Sequence, residues 1–142
     1  MTDLDVRRRD DVNASWLMEV LRRNGYEVSL TSEGAVFAKH STRPNAILKV
    51  RPEVGIISIL ESWRVKKGGF GSHKDLLEKI NKANSLSWRD TFYIDSDGDL
   101  GVSSFITLAD ELSADDITNH LLRENENFIT TVVTSGLIEH VQ

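Results

Sequence analysis

The sequence predicts an α+β domain in which a single antiparallel sheet is packed against three helices. Three features point there: three segments repeat apolar residues at helical spacing, the segments between them alternate apolar and polar residues with period two, and short turns containing Gly, Pro or Asp separate the alternating runs.

Val12, Trp16, Leu17, Val20 and Leu21 line one side of a helix expected over about residues 11–24, which Gly25 ends as a left-handed cap. Tyr26, Val28 and Leu30 alternate with Glu27, Ser29 and Thr31, the pattern of a half-buried strand, and Ser32-Glu33-Gly34 turns the chain. Val36–Lys39, Ala46–Arg51 and Gly55–Trp63 read as further strands, set apart by Pro44 and Pro52. A polar, glycine-rich loop, Lys66–Gly71, precedes a second helix, with Ser72 and Asp75 as a capping-box-like start and Leu76, Leu77, Ile80 and Ala83 on its buried side. That helix is expected to end near Asn84. A strand over about Trp88–Ile94, the turn Asp95–Asp99 and a strand with Leu100, Val102, Ser104, Ile106 and Leu108 on one face follow. Ser113 and Asp116 cap the last helix, whose Ile117, Leu121, Phe128 and Val132 face inward as far as Ser135 and Gly136; the polar run Glu124–Asn127 leaves room for a break. The order is α-β-β-β-α-β-β-α in one domain over residues 1–142, with Gly55–Trp63 either a fourth strand or the true third.

A chain of 142 residues is the usual size of one domain and buries roughly two thirds of its unfolded surface. It has no cysteine, which excludes disulfides, thiolate nucleophiles and cysteine-based metal sites. No apolar run approaches the roughly 18 residues of a membrane span and the first residues are charged, so a cytoplasmic protein without membrane insertion is expected. The net charge of −5 argues against a nucleic-acid binder. The charge is lopsided: residues 39–89 carry eleven Lys or Arg against four acids, and residues 90–142 eleven acids against Arg123 alone. Such asymmetry either steers a partner, or a second copy meeting the first head to tail, or neutralises itself across ordinary solvated faces.

No motif assembles a catalytic or metal centre. Asp95-Ser96-Asp97-Gly98-Asp99 begins like a calcium loop, but Leu100 stands where its glycine belongs, Ile106 where its bidentate acid belongs, and strands flank it; it reads as a hairpin turn. His40, His73, His120 and His140 are scattered without ligand spacing, and His120 is expected at a helix boundary. Gly68-Gly69-Phe70-Gly71-Ser72 lacks the spacing of a phosphate-binding P-loop; it is a connector or, through Gly69, Gly71 and Ser72 at a helix N-terminus, an anion site. Among the aromatic residues, Tyr93 and Phe105 fall on strand faces opposite their apolar neighbours, where large side chains anchor partners or pack a second layer; Trp63 is the third candidate anchor.

The run Leu77-Glu78-Lys79-Ile80-Asn81-Lys82-Ala83-Asn84, the hairpin Asp97-Gly98-Asp99-Leu100 and Leu112-Ser113 at the start of the last helix, in that order, resemble the YbjN family of small bacterial sensory transduction regulators. The resemblance implies the fold of type III secretion chaperones, usually dimeric, with apolar surface that holds a client polypeptide, and no catalytic residues or cofactor. The expectation is therefore a non-enzymatic, homodimeric, chaperone-like or regulatory module that binds a client protein or peptide. The alternative is a small-ligand or anion sensor built on the glycine-rich loop.

Overall fold

The structure, a computed structural model, describes residues 5–66, 73–87 and 90–141. The chain runs β1 (Val6–Arg8), a 3-10 turn, α1 (Ala14–Arg23), β2 (Glu27–Leu30), β3 (Val36–Lys39), β4 (Asn45–Arg51), β5 (Ile56–Trp63), α2 (His73–Leu86), β6 (Thr91–Ile94), β7 (Leu100–Thr107), β8 (Glu111–Ser113), α3 (Ala114–Ser135) and a final 3-10 turn, Leu137–His140. The class is the α+β arrangement the sequence predicts, but four strands, not three, separate the first two helices, and Gly55–Trp63 is the additional one. Six strands form one antiparallel sheet in the order β2-β3-β4-β5-β7-β6, and β1 pairs with β8 in a separate ribbon. Among the described residues no helix is long and apolar enough to cross a membrane.

Local chemistry sets the boundaries. Helix α1 starts three residues later than its apolar spacing suggests because the Asn13 side chain accepts the Trp16 N–H at 3.0 Å, fixing Asn13 as the N-cap. Gly25, at φ +85°, then turns the chain into β2. Ser113 and Asp116 make a reciprocal capping box, Ser113 Oγ accepting from the Asp116 N–H at 3.1 Å and the Asp116 carboxylate from the Ser113 N–H at 2.9 Å. Helix α3 runs unbroken through Glu124–Asn127 to Gly136, which caps it at φ +84°. His120 accordingly lies inside α3, not at a boundary. The expected Ser72 cap lies outside the described residues; Asp75 meets the buried His140 ring at 2.8 Å, joining α2 to the C-terminal turn.

All three helices pack on one face of the sheet. Alternation places Val36, Ala38, Ala46, Leu48, Ile57 and Ile59 under α1 and the first half of α3, in one apolar cluster with Trp16, Leu17, Val20, Leu21, Ile117 and Leu121. A second cluster gathers Leu76, Ile80 and Ala83 of α2, Phe92, Leu100 and Val102 of the sheet, and Phe128, Val132 and Leu137. Trp63 packs against this second cluster, stacked on Phe128 with ring centroids 4.0 Å apart and planes within 4°.

The outer edge of β6 is closed by a side chain. Asn84, in the last turn of α2, accepts the Phe92 N–H at 2.7 Å and donates from its amide nitrogen to the Phe92 carbonyl at 3.0 Å. A carboxamide carries the same donor and acceptor as a peptide group, so Asn84 satisfies the strand as a neighbouring strand would. It also locks α2 to the sheet. Replacing Asn84 with Ala leaves both Phe92 groups unpaired in a half-buried setting and is expected to cost about 1–3 kcal/mol in urea unfolding; an unchanged midpoint would remove this role.

Candidate binding face

Among the described residues no element covers the face of the sheet away from the helices, and the residues of that face follow from the pairing register. Phe37 pairs with Ile47 and Ile47 with Leu60, so three apolar side chains stand in a row across β3, β4 and β5. Phe105 adjoins them from β7, opposite Ser58 and diagonal to Leu60. These side chains are open to solvent: Phe105 is 56% exposed, Leu60 40% and Ile47 39%. Their strand neighbours on the other face, Leu48, Ile57, Ile59 and Ile106, are buried. A contiguous apolar row of this kind on a regular, solvent-facing sheet is the candidate contact surface of the chain.

One end of this face is a depression of about 360 Å³ lined by Phe37, Ile47, Leu60, Tyr93, Asp95 and Asp97. The Tyr93 ring lies flat over Gly101, its pairing partner on β7, where a Cβ would collide with the ring. Burial, with the neighbouring Asp95 charge, holds the Tyr93 hydroxyl above its ordinary pKa, so it stays a neutral hydrogen-bonding group. Asp95 shapes the adjoining turn, its Oδ1 accepting the N–H groups of Asp97 and Asp99, each at 2.9 Å. Asp97 is exposed. The opposite end carries Lys49 and Arg51, with Arg51 Nε donating to Ser58 Oγ at 3.2 Å.

The three aromatic anchors expected from the sequence do not share a surface. Phe105 and Tyr93 are on the open face; Trp63 pairs with the buried Leu100 and points to the helices, where it stacks on Phe128. The period-two reading separates these positions correctly for Tyr93 and Phe105, and the same count along β5 puts Trp63 in phase with Ile57 and Ile59. Gly69, Gly71 and Ser72, the anion-site residues, lie outside the described residues.

Sequence reasoning missed a second constellation, on the covered face. Along β5 the inward positions run Ile57, Ile59, Glu61, Trp63; along β7 Leu100, Val102, Ser104, Ile106; along α3 Ile117, Leu121, Glu124, Phe128. In each element a polar residue falls between members of the two apolar clusters, so a polar seam divides the core. His120 Nε2 lies 3.3 Å from Ser104 Oγ and 3.6 Å from the Glu124 carboxylate, and Asn127 donates to Asp90 at 3.1 Å. Glu124 is 2% exposed and Asp90 5%. Asp90 Oδ1 is buried with no hydrogen-bond partner among the described residues. Among those residues no three His, Asp or Glu side chains converge to hold a metal ion. The signal was available: Ser104 in phase with apolar neighbours, and Glu124 and Asn127 on the inward arc of α3.

Burial, reinforced by the Asp90 charge, raises the Glu61 carboxyl to about 7. A carboxyl that holds its proton more tightly folded than unfolded lowers stability as pH rises from the ordinary value of 4.5 to about 7, above which the loss is constant. The wild type should therefore lose on the order of 2 kcal/mol relative to Glu61→Gln between pH 5 and pH 8 in urea unfolding. Parallel pH profiles of the two proteins would refute the assignment.

With this geometry in place, comparison with known proteins identifies the fold. The profile of the YbjN family, described as "Putative bacterial sensory transduction regulator", matches residues 13–122. The chain belongs to the YbjN family. Among solved structures, YbjN of E. coli, described as "a putative transcription regulator", is similar over 92% of this chain and 96% of its own, with a TM-score of 0.66 and 11% identity, a likeness of fold. No curated protein matches the sequence.

Proposed function

We propose that this chain is a non-enzymatic, chaperone-like regulatory module whose open sheet face holds an apolar segment of a client polypeptide, and that it is a homodimer when no client is bound. One observation carries the reading: the row Phe37, Ile47 and Leu60 with Phe105, solvent-facing on a sheet whose other face packs against the helices. Aromatic and branched side chains on a rigid strand surface bind by desolvation at low entropic cost and perform no bond chemistry. The Ser58, Ser62 and Ser103 hydroxyls and the Tyr93 phenol interleave with them, which supplies the polar contacts that orient a bound segment. A regulator in a signalling family acts by such reversible contacts.

Strand addition is the weaker route. Asn84 already pairs the Phe92 backbone on one outer edge of the sheet, and the other edge strand, β2, is four residues long.

Phe105→Ser and Ile47→Ser, made separately in the tagged protein, are each expected to weaken capture of the co-purifying client about tenfold or more. Both side chains are solvent-exposed, so the melting temperature should stay nearly constant. Undiminished capture by both variants would dismiss the open face as the binding surface, and turnover of a substrate by the purified chain would dismiss a purely binding role.

A further inference from the structure

A second apolar surface lies on α3, on the side turned away from the sheet. Ile117, Leu121, Phe128 and Val132 fill the inward side of this helix, and an amphipathic helix ordinarily carries polar residues opposite them. Arg123, Thr130 and Thr134 follow that rule. Leu122, Ile129 and Val133 do not: they are 41%, 51% and 55% exposed. Ile129 and Val133 are also β-branched and poorer helix formers than Ala, Lys or Glu, so nothing in the helix itself favours them at solvent-facing positions.

The three residues are in line. With Asn119 and Glu126 they stand at steps of three, four, three and four residues, the spacing at which one helix presents a seam to another. The seam reads Asn119, Leu122, Glu126, Ile129, Val133, all exposed, with a carboxylate at its centre. Among the described residues no cation pairs with Glu126; Arg123, the one base on α3, donates to the Asn119 carbonyl at 3.3 Å. The ends of the seam carry Asp115 and Asp116 in the first turn of α3, Lys79 beside Gly136, and Glu139 in the turn that follows.

We propose that this seam docks an amphipathic helix of a partner protein, with apolar residues against Leu122, Ile129 and Val133 and a Lys or Arg over Glu126. The central charge selects the occupant. A second copy of the chain would set Glu126 against its own counterpart or, in a shifted register, against apolar residues, and either arrangement desolvates a carboxylate without a counter-charge. A lipid surface is excluded on the same ground, since helices that lie on membranes flank their apolar side with Lys and Arg, whereas this one carries Asp115 and Glu126. A partner helix with one base in an otherwise apolar seam satisfies every position, and the buried charge pair fixes its register. This inference goes beyond the client reading and does not rest on it: α3 lies on the covered side of the sheet, so a client on the open face and a helix on α3 can be held together.

The test uses two synthetic helical peptides of about 20 residues, long enough to hold a helix when docked. Each has leucine at the same seam spacing, with Lys in one peptide and Glu in the other at the middle position, which opposes Glu126 in either chain direction. Labelled peptide at nanomolar concentration, where it does not pair with itself, is titrated with the full chain and read by fluorescence anisotropy. The wild type is expected to bind the Lys peptide about tenfold or more tightly than the Glu peptide, and Glu126→Lys to reverse the preference. Ile129→Ser and Val133→Ser should each weaken the Lys peptide about tenfold with unchanged urea midpoints, and Ile129→Ala, which keeps a strong helix former, should lose affinity likewise. Phe105→Ser and Ile47→Ser should bind it as the wild type does.

Equal affinity for the two peptides, a preference that survives Glu126→Lys, or no binding up to about 1 mM protein overturns the proposal. So does binding that Phe105→Ser abolishes, which puts the peptide on the sheet, and a wild-type dimer that Ile129→Ser dissociates, which puts a second copy on the seam. Client capture through Phe105 and Ile47 is measured separately, and its failure leaves the peptide result to stand alone.

Discussion

The structure depends on where α3 lies. Its inward residues Ile117 and Leu121 belong to one apolar cluster, Phe128 and Val132 to the other, and Glu124 to the seam between them. A helix of 22 residues rises about 33 Å, enough to cross both clusters. Neither half of the sheet's covered face is closed without it. The Ser113–Asp116 box fixes where this helix begins, and Gly136 fixes where it ends and sends Leu137 back into the second cluster.

Gathering α1, α2 and α3 on one side leaves the other side of the sheet to solvent. A single-sided antiparallel sheet ordinarily answers this with polar residues on the outward positions. Here Ser58, Ser62 and Ser103 obey that rule, while Phe37, Ile47, Leu60 and Phe105 break it in neighbouring positions. Four exceptions at adjoining register positions carry more weight than four scattered ones, because contiguous apolar area is what a partner can desolvate. The burial of polar groups in the seam is the complementary exception. Glu61 accommodates it through a carboxyl whose pKa burial raises to about 7, whereas Asp90 draws on Asn127.

Much of this was legible in the sequence, for local reasons. Helices announce themselves by spacing and caps, and strands by alternation, so the three helices, the Asp95–Asp99 hairpin and the outward setting of Tyr93 and Phe105 could all be read before any fold was known. The residues that resisted were those whose meaning depends on a neighbour far along the chain. Glu124–Asn127 looks like a helix break until Asp90 and Ser104 are placed opposite it. Trp63 looks like a surface anchor until Phe128 arrives from another element. The β1–β8 ribbon joins Val6–Arg8 to Glu111–Ser113, two three-residue segments too short to alternate visibly. Pairings at such separations leave no periodic trace.

Asn84 shows how a short family motif can conceal a structural device. At the end of an otherwise ordinary amphipathic helix, asparagine is a poor helix former, and its place there gains a reason only when the Phe92 peptide groups are seen in its grasp. Leu or Ala would serve the helix better and leave an open strand edge. By closing that edge with a side chain, the fold forgoes strand addition at β6 and holds the β6–β7 hairpin, with Tyr93 and the Asp95–Asp99 turn, at a fixed angle to α2. The Tyr93 end of the open face is therefore positioned from behind the sheet. A sheet face is rigid to the extent that its rim is anchored, and here the anchor is one carboxamide acting as the missing seventh strand.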